Sequence, residues 1–458
     1  MCHVTKKKPA TPPAIKQVEF NTIASSFGGL SEKVSGLHRQ VARRNLYTDI
    51  LDERFDTDNL PPNDSILMIA DGLAMGHQAY AASIPTNYTC ILFIVQEPES
   101  NIFDQRHIEY CLFENYGIHS FRVPFRRVLD DTCLTQDRVL MYSPFEMQSF
   151  ATSSSPPSPY PPSIPPYEVS TVYFRAGYSP AEYTDREWTA RLHIERSSAI
   201  KCPSVLVQLA GCKKVQQVLA TPDSPHLARF LPDEEKARRV RETFVPMYPM
   251  GPDIDLDDTG QQQQQQQQQH PPTSSLSTTA APFSSSSSIN PATQGRKLAL
   301  NPETAAHHVL KPQREGGGNN IYRTAIPPFL KDLPEAKWPA YILMEMIETP
   351  PARNMILRNG EVSGGGVISE LGVYGCCVWR SKDGGKRDVE GKGGAGKDEH
   401  SEEDSGECDA AYSKTGHGST SEIMANTTAG YLLRTKGDQS EEGGVAAGFG
   451  AVDSCYLV

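Results

Sequence analysis

Three stretches that cannot pack limit what this chain can fold into. Residues 152–166 read TSSSPPSPYPPSIPP, residues 252–296 hold nine consecutive glutamines and a serine tract, and residues 381–420 are glycine-rich and densely charged. None carries enough apolar surface to offset the entropy of ordering it. Doubling the length of a loop costs only about 0.6 kcal/mol, so a fold tolerates such insertions wherever the flanking ends already lie close together. The packable pieces are then 15–151, 167–251, 297–380 and 421–458, behind a disordered tail at 1–14.

Composition narrows the class. The 458 residues carry 44 basic and 55 acidic side chains, net charge −11, which argues against a general nucleic-acid binder, since such a protein needs a basic face. No run approaches the ~18–20 apolar residues of a membrane span. The start, MCHVTKKKPATPP, has no apolar segment after its lysines and so is not a secretory signal. The ten cysteines contain no CxxC pair, so reduced thiols in a cytoplasmic protein are expected rather than a zinc site or a disulfide framework.

Short runs rich in β-branched and aromatic residues read as strands: 15–23 (IKQVEFNTI), 89–96, 170–175, 307–311, 341–348, 366–379 and 429–436. Residues 185–200 and 204–220 read as helices, with Trp188, Leu192 and Ile194 on the apolar face of the first and Val205, Leu209, Val215 and Leu219 on that of the second. Strands and helices in mixture give an enzyme-like α/β or α+β class.

The segment most suggestive of chemistry is VLKPQREGGGNNIY, 309–322. Pro312 ends a strand just after Lys311, so the lysine stands at the sheet's rim. Gly316, Gly317 and Gly318 let backbone amides approach an anion, Arg314 adds charge, Glu315 offers a hard oxygen, and Asn319 and Asn320 supply neutral donors and acceptors. This suits a triphosphate grip, although it is not a Walker A loop, and a plain flexible loop is an equal competitor. In KQVEFN, strand alternation puts Glu19 and Asn21 on one face, and with Glu315 they would make an oxygen-only site suited to Mg²⁺. Glu99, Asn101 and Gln105 follow an apolar strand, and Arg175 ends another, where a guanidinium can grip a carboxylate. No Ser–His–Asp or Cys–His pattern stands out.

KQVEFNTIASSFGGL, NIFDQR, VYFRAGY, KCPSVLVQLAGCKKVQQVL, LKPQREGGGNNIY, YILMEMIE, ISELGVYG and LLRTK…EGGVAAG, in that order along the chain, together resemble the eukaryotic glutathione synthetase family. The resemblance implies an α/β protein of ATP-grasp fold, with mobile glycine-rich and alanine-rich loops over the active site. Substrate-binding and central regions would fall in 15–151 and 167–251, and the ATP-grasp region in 297–380 and 421–458. It implies ATP as co-substrate, Mg²⁺, the small-molecule substrates γ-glutamylcysteine and glycine, and a homodimer.

Carried onto this chain, Glu19, Asn21 and Glu315 would hold Mg²⁺, with Glu19 also near ATP. Lys213, Lys311, Pro312, Gln313, Arg314, Glu315, Gly316, Gly317, Gly318, Asn319 and Asn320 would hold the phosphates, with Tyr322 close by. Met344, Glu345, Met346 and Ile347 would contact adenine, and Glu370, Lys436 and Glu442 would complete the nucleotide pocket. Ile23, Ala24, Ser25, Ser26, Glu99, Ser100, Asn101, Gln105, Arg175, Ala176, Gly177, Tyr178, Arg434, Val445 and Ala446 would contact peptide, with Arg434 and Lys311 catalytic. Family members usually have Asp at Ala176, Arg at Ser100 and Asp at Glu442. They also carry a long helical segment before KQVEFN, where this chain has fourteen residues, so the chain is expected to be N-terminally incomplete. A catalytically impaired nucleotide-binding relative is the alternative expectation.

Overall fold

The computed structural model describes residues 3–4, 14–46, 56–82, 88–144, 166–251, 290–314, 318–358, 360–381, 421–441, 445, 448 and 450–457. They form a mixed α/β fold with three sheets. The insertion at 152–166, save its last residue, and all of 382–420 fall outside the described residues. Among the described residues no helix is long and apolar enough to cross a membrane.

The central sheet has six strands. Thr89–Val95 pairs in parallel with His119–Pro124 on one side and Tyr167–Phe174 on the other, and Ile200–Cys202 adds in parallel to Tyr167–Phe174. Leu140–Tyr142 and Thr132–Leu134 extend the sheet in antiparallel fashion. All seven residues of Thr89–Val95 are buried, because helices cover both faces. Ile91, Phe93 and Val95 pack with Ala70 and Leu73 of helix Ser65–Ala79 and with Ile108 and Leu112 of helix Ile102–Tyr116. Cys90, Leu92 and Ile94 point the other way, toward Ala190 and Ile194 of helix Asp185–Arg196. A strand buried on both faces reads as an unbroken apolar run, as this one does.

The second sheet is antiparallel, in the order Ile321–Tyr322, His308–Pro312, Tyr341–Glu345, Met247–Pro249. The third is built on a long hairpin, Glu361–Ser381 with Ser421–Gly437, flanked by Ala352–Arg358, the two-residue strand His3–Val4 and Ala451–Asp453. Asn63 stitches this hairpin to the rest of the fold: its amide donates to the Tyr431 carbonyl (2.8 Å) and accepts from the Tyr431 N–H (3.0 Å).

Several expectations need correction. Residues 15–23 are an extended segment outside any sheet; the Gln17 N–H finds its partner in the Thr243 carbonyl (2.8 Å) rather than in a ladder. The helix expected over 204–220 is two helices, Val205–Ala210 and Lys213–Ala220. The break falls at Gly211, where a Cβ would lie 3.1 Å from Thr22 Cβ and closer still to its hydroxyl, so the chain turns there to let residues 19–26 pass. None of Val205–Ala210 is buried. On Asp185–Arg196 the inward face carries Glu187, Ala190, Arg191 and Ile194, and Trp188 and Leu192 are exposed. Arg191 takes the interior place because its guanidinium lies over the Phe174 ring (4.1 Å) and donates to Glu195, Gln208 and the Pro203 carbonyl. Trp188 stacks outside on Tyr183 (4.3 Å). Residues 291–296, assigned to the glutamine-rich insertion, begin helix Pro291–Leu300, which Asn290 caps with Pro291 in first position.

Helix Ser65–Ala79 presents Gly72 to the hairpin. A Cβ there would stand 2.6 Å from Cys376 Cβ, so the helix and hairpin touch only because the side chain is missing. Gly72→Ala is expected to lower unfolding free energy by about 1–2 kcal/mol, overpacking outweighing the gain in helix propensity. Denaturant unfolding reads this directly; an unchanged midpoint would mean that the contact is looser than described.

Candidate active site

The site lies where residues 19–26 pass between the three sheets. The Glu19 carboxylate is 3.6 Å from Lys213 Nζ, and Asn21 Nδ2 donates to Glu19 Oε1 (3.2 Å). Lys213 opens helix Lys213–Ala220, Lys311 sits in strand His308–Pro312, and both are buried. Lys311 Nζ donates to the Val18 carbonyl (3.3 Å), which ties the strand to the extended segment. Burial alone would raise the Glu19 pKa, but the ammonium groups of Lys213 and Lys311, the Asn21 amide and the Arg434 guanidinium together hold it below its ordinary value of 4.5. A carboxylate is thus kept ionised among three cations from three separate chain segments.

The hairpin supplies the opposite wall. Glu370 and Arg434 face each other across the ladder, Nη2 to Oε2 2.9 Å. Lys436, two residues further along on the same side, donates from Nζ to the Glu441 carbonyl (2.8 Å). Tyr374, four residues beyond Glu370, donates its hydroxyl to the Ser26 carbonyl (2.6 Å). Burial pushes that phenol well above its usual range, so it remains a donor.

Beside it lies a second pocket. The buried Arg175 guanidinium donates from Nη1 to the Ser25 carbonyl and the Tyr173 hydroxyl (3.3 Å), and from Nη2 to Ser26 Oγ (2.9 Å). Glu99 accepts from the Asn101 N–H and from Gln105 Nε2, both at 2.8 Å. Asp104 holds this corner together, taking the N–H groups of Phe27 (2.8 Å), Gly29 (2.7 Å) and Leu30 (3.0 Å) and the Asn101 amide (3.1 Å). Among the described residues, three buried polar atoms here have no partner: Gln105 Oε1, Arg175 Nε and Arg434 Nε. Buried polar groups are ordinarily satisfied, so three orphans around one cleft mark where a polar ligand would sit.

A third part is apolar. Met344, Val309, Ile342, Met247, Val245 and Ala220 form a buried cluster, with Tyr322, Met346 and Ile347 packed at its edge. Gln313 Oε1 accepts the Lys214 N–H (3.0 Å), which fixes the end of strand His308–Pro312 against helix Lys213–Ala220. Asn320 Nδ2 donates to the Tyr322 hydroxyl (3.1 Å).

The structure therefore brings together Glu19, Asn21, Lys213, Lys311, Glu370 and Arg434, and separately Ser25, Ser26, Glu99, Asn101, Gln105 and Arg175. Ala176 is buried in the central core and Ser100 is exposed. Gly177 and Tyr178 are held by their N–H groups on Glu182 (both 3.2 Å), and Gln208 Nε2 donates to the Gly177 carbonyl (3.0 Å). Glu315, Gly316, Gly317, Glu442 and Ala446 lie outside the described residues. Sequence reasoning missed Asp104, Gln208 and Tyr374. Tyr374 was reachable from alternation with Glu370, whereas Asp104 shows its role only when residues 27–30 arrive beside it.

Comparison with known proteins identifies the family. The family model described as eukaryotic glutathione synthase, ATP binding domain, matches residues 1–457. The glutathione synthetase large chain of Schizosaccharomyces pombe is 33% identical over 457 residues, covering 96% of this chain and 71% of its own length. Human glutathione synthetase is 32% identical over 449 residues (97% and 71%), and the Dictyostelium discoideum enzyme 31% over 450 (97% and 72%). Among solved structures, a glutathione synthetase-like effector from Globodera pallida, in its apo form, superposes with a TM-score of 0.57 at 17% identity, covering 97% of this chain and 72% of its own; it bears on the fold alone. These likenesses favour a ligase over an impaired nucleotide-binding relative. With its whole length matched and relatives above 30% identity throughout, the chain belongs to the eukaryotic glutathione synthetases, ligases of glutathione synthesis with an ATP-binding domain.

Proposed function

We propose that this chain joins γ-glutamylcysteine to glycine in an ATP-grasp site, with the nucleotide between the second sheet and the hairpin and the peptide against the central sheet. The observation that carries this reading is the ionised Glu19 flanked by the buried lysines 213 and 311, next to a guanidinium that has no carboxylate hydrogen-bonded to it. Two ammonium groups suit a triphosphate, and a buried arginine with an orphaned Nε suits a substrate carboxylate.

A carboxylate is a poor electrophile, so ATP supplies the leaving group. The cysteinyl carboxylate oxygen attacks the terminal phosphorus and ADP departs, leaving an acylphosphate. The glycine amine then attacks the acyl carbon, phosphate leaves, and the amine's proton is lost as the amide forms. Little of this is covalent work for the protein, whose part is positioning and neutralisation. Lys213 and Lys311 would offset phosphate charge and Arg434, held by Glu370, would face the transferring group. Arg175 would hold a peptide carboxylate, and the cluster around Met344 would receive adenine.

Glu19 and Asn21 fit a small divalent cation: each carries a hard oxygen, and the Asn21 amide already lies beside the Glu19 carboxylate (Nδ2 to Oε1 3.2 Å), so a flip of the amide would turn its oxygen to the same ion. Among the described residues no three His, Cys, Asp or Glu side chains gather; Glu315, the third ligand that the resemblance implies, lies outside them. Mg²⁺ held there would neutralise the triphosphate.

The test is Lys311→Ala. Its kcat/KM for ADP release, measured with both γ-glutamylcysteine and glycine present, is expected to fall about 100-fold. Turnover close to that of the unmodified chain would remove Lys311 from the phosphate site.

A further inference from the structure

We infer that Cys202 and Cys376 are a disulfide-forming pair, placed so that a low-molecular-weight disulfide can cross-link the hairpin to the central sheet. Both are free thiols, on elements that do not pair with each other. Their convergence follows from the way helix Ser65–Ala79 lies on the sheet. Tyr80, at its end, donates to Glu168 (2.8 Å) and bonds Ser198 (3.2 Å). One turn earlier His77 meets Ser170 (2.6 Å), and a Cβ on Gly76 would stand 3.6 Å from Thr171 Oγ1 and 3.9 Å from Ile200 Cγ2.

The helix thus runs antiparallel to the strands, and each turn back along it moves about two residues forward on the sheet. The next step back from Gly76 is Gly72. The next step forward from the Thr171–Ile200 pair is Tyr173–Cys202. Tyr173 indeed packs with Leu73 and Ala70. Side chains two apart on a strand share a face, so Cys202 points, as Ile200 does, toward this helix at the level of Gly72. Cys376 comes from the opposite side to the same place: its thiol lies over Gly72, donating toward the Met68 carbonyl (3.9 Å). Cys376 Sγ fills the space left by the absent side chain at Gly72, and the two thiols lie close enough for the charge of one to act on the other.

Cys202 is exposed as a residue although its sulfur is turned inward, whereas Cys376 is only partly exposed, so Cys202 is the one a reagent reaches first. Its thiolate attacks a disulfide RSSR, giving the mixed disulfide Cys202–S–SR and releasing RS⁻. The Cys376 thiolate then attacks the Cys202 sulfur, forming the Cys202–Cys376 bond and expelling a second RS⁻. The two protein thiols are oxidised, RSSR is reduced to two RSH, and the two protein protons end on them. The disulfide of the family's own product is such a reagent. Burial pushes the Cys202 thiol up to about 12 and Cys376 to about 11, so the thiolate fraction, and with it the exchange rate, is small at neutral pH and climbs about tenfold per pH unit.

The cross-link would join the hairpin bearing Glu370 and Arg434 to the strand beside Tyr173 and Arg175. The experiment treats the full, folded chain with glutathione disulfide at pH 7.5 and 8.5, blocks remaining thiols, digests, and identifies the linked peptides by mass. The expected product joins Cys202 to Cys376, forms about tenfold faster at the higher pH, and is undone by dithiothreitol. With Cys376→Ser the same treatment is expected to stop at a mixed disulfide on Cys202. Recovery of Cys202 as an unreacted thiol, or Cys376 linked to Cys377 instead, overturns the proposal. The readout is mass rather than turnover, so a failure of the ligase reading leaves this result standing.

Discussion

Glu19→Gln is expected to lower kcat/KM about 1,000-fold while leaving the fold intact. The substitution keeps size and hydrogen-bonding shape but removes the one negative charge held against Lys213 at 3.6 Å and within the field of Lys311 and Arg434. Those cations then face each other without an anion, and the pair with Asn21 loses its charged oxygen. A single preorganised charged group in such a site is worth roughly 10²–10³ in rate, and here loss of the divalent-cation donor adds to it. The signature is a split in binding. Nucleotide without magnesium binds the glutamine variant as well as or better than the unmodified chain, because the lysines are no longer neutralised. Magnesium no longer improves that binding. Calorimetry with and without the metal checks both halves, and a variant whose affinity still rises with magnesium would show that Glu19 is not a ligand. The unmodified carboxylate has a depressed pKa, so it stays charged throughout the neutral range. Its contribution to stability is full above 4.5 and is lost only as pH falls through the depressed value.

Much of the fold could be read from periodicity, and the misses share a cause. Thr89–Val95, His308–Pro312 and Tyr341–Glu345 are strands buried on both faces or paired on both sides, so local composition and tertiary environment agree. Residues 15–23 have the composition of a strand but no neighbour offers a ladder; their partners are the carbonyl at the end of helix Glu234–Thr243 and two lysines. Apolar spacing alone turns Trp188 and Leu192 inward, whereas Arg191 takes the interior place with its donors satisfied by Glu195, Gln208 and Pro203. Gly211 splits a helix for the sake of Thr22, 189 positions away in the chain. Such contacts leave no local mark. Lys311 could be read from the proline that ends its strand, whereas Lys213, in the middle of what reads as one helix, enters only through the family resemblance. The Asp104 clamp and the Tyr374 bond were not legible, since each joins segments that meet only after the sheets have docked.

Arg175→Lys separates the peptide pocket from the nucleotide pocket. Lysine keeps the positive charge but has one ammonium in place of a planar fork, so it cannot hold Ser25, Tyr173 and Ser26 together while still offering a free N–H. In the unmodified chain Nε is the buried donor without a partner, and a bound carboxylate would take it. Breaking a buried, hydrogen-bonded charge pair costs about 2–5 kcal/mol, so kcat/KM for γ-glutamylcysteine is expected to drop several hundred-fold. Most of the loss should fall on KM for the dipeptide, because the guanidinium grips substrate rather than the reacting phosphorus. ATP affinity should stay within a factor of two or three, since Glu19, Lys213 and Lys311 do not touch Arg175. Steady-state kinetics with each substrate varied in turn decides the matter. If KM for ATP climbs as much as KM for the dipeptide, the two pockets are not independent and Arg175 acts by holding residues 25–26 in place for the nucleotide.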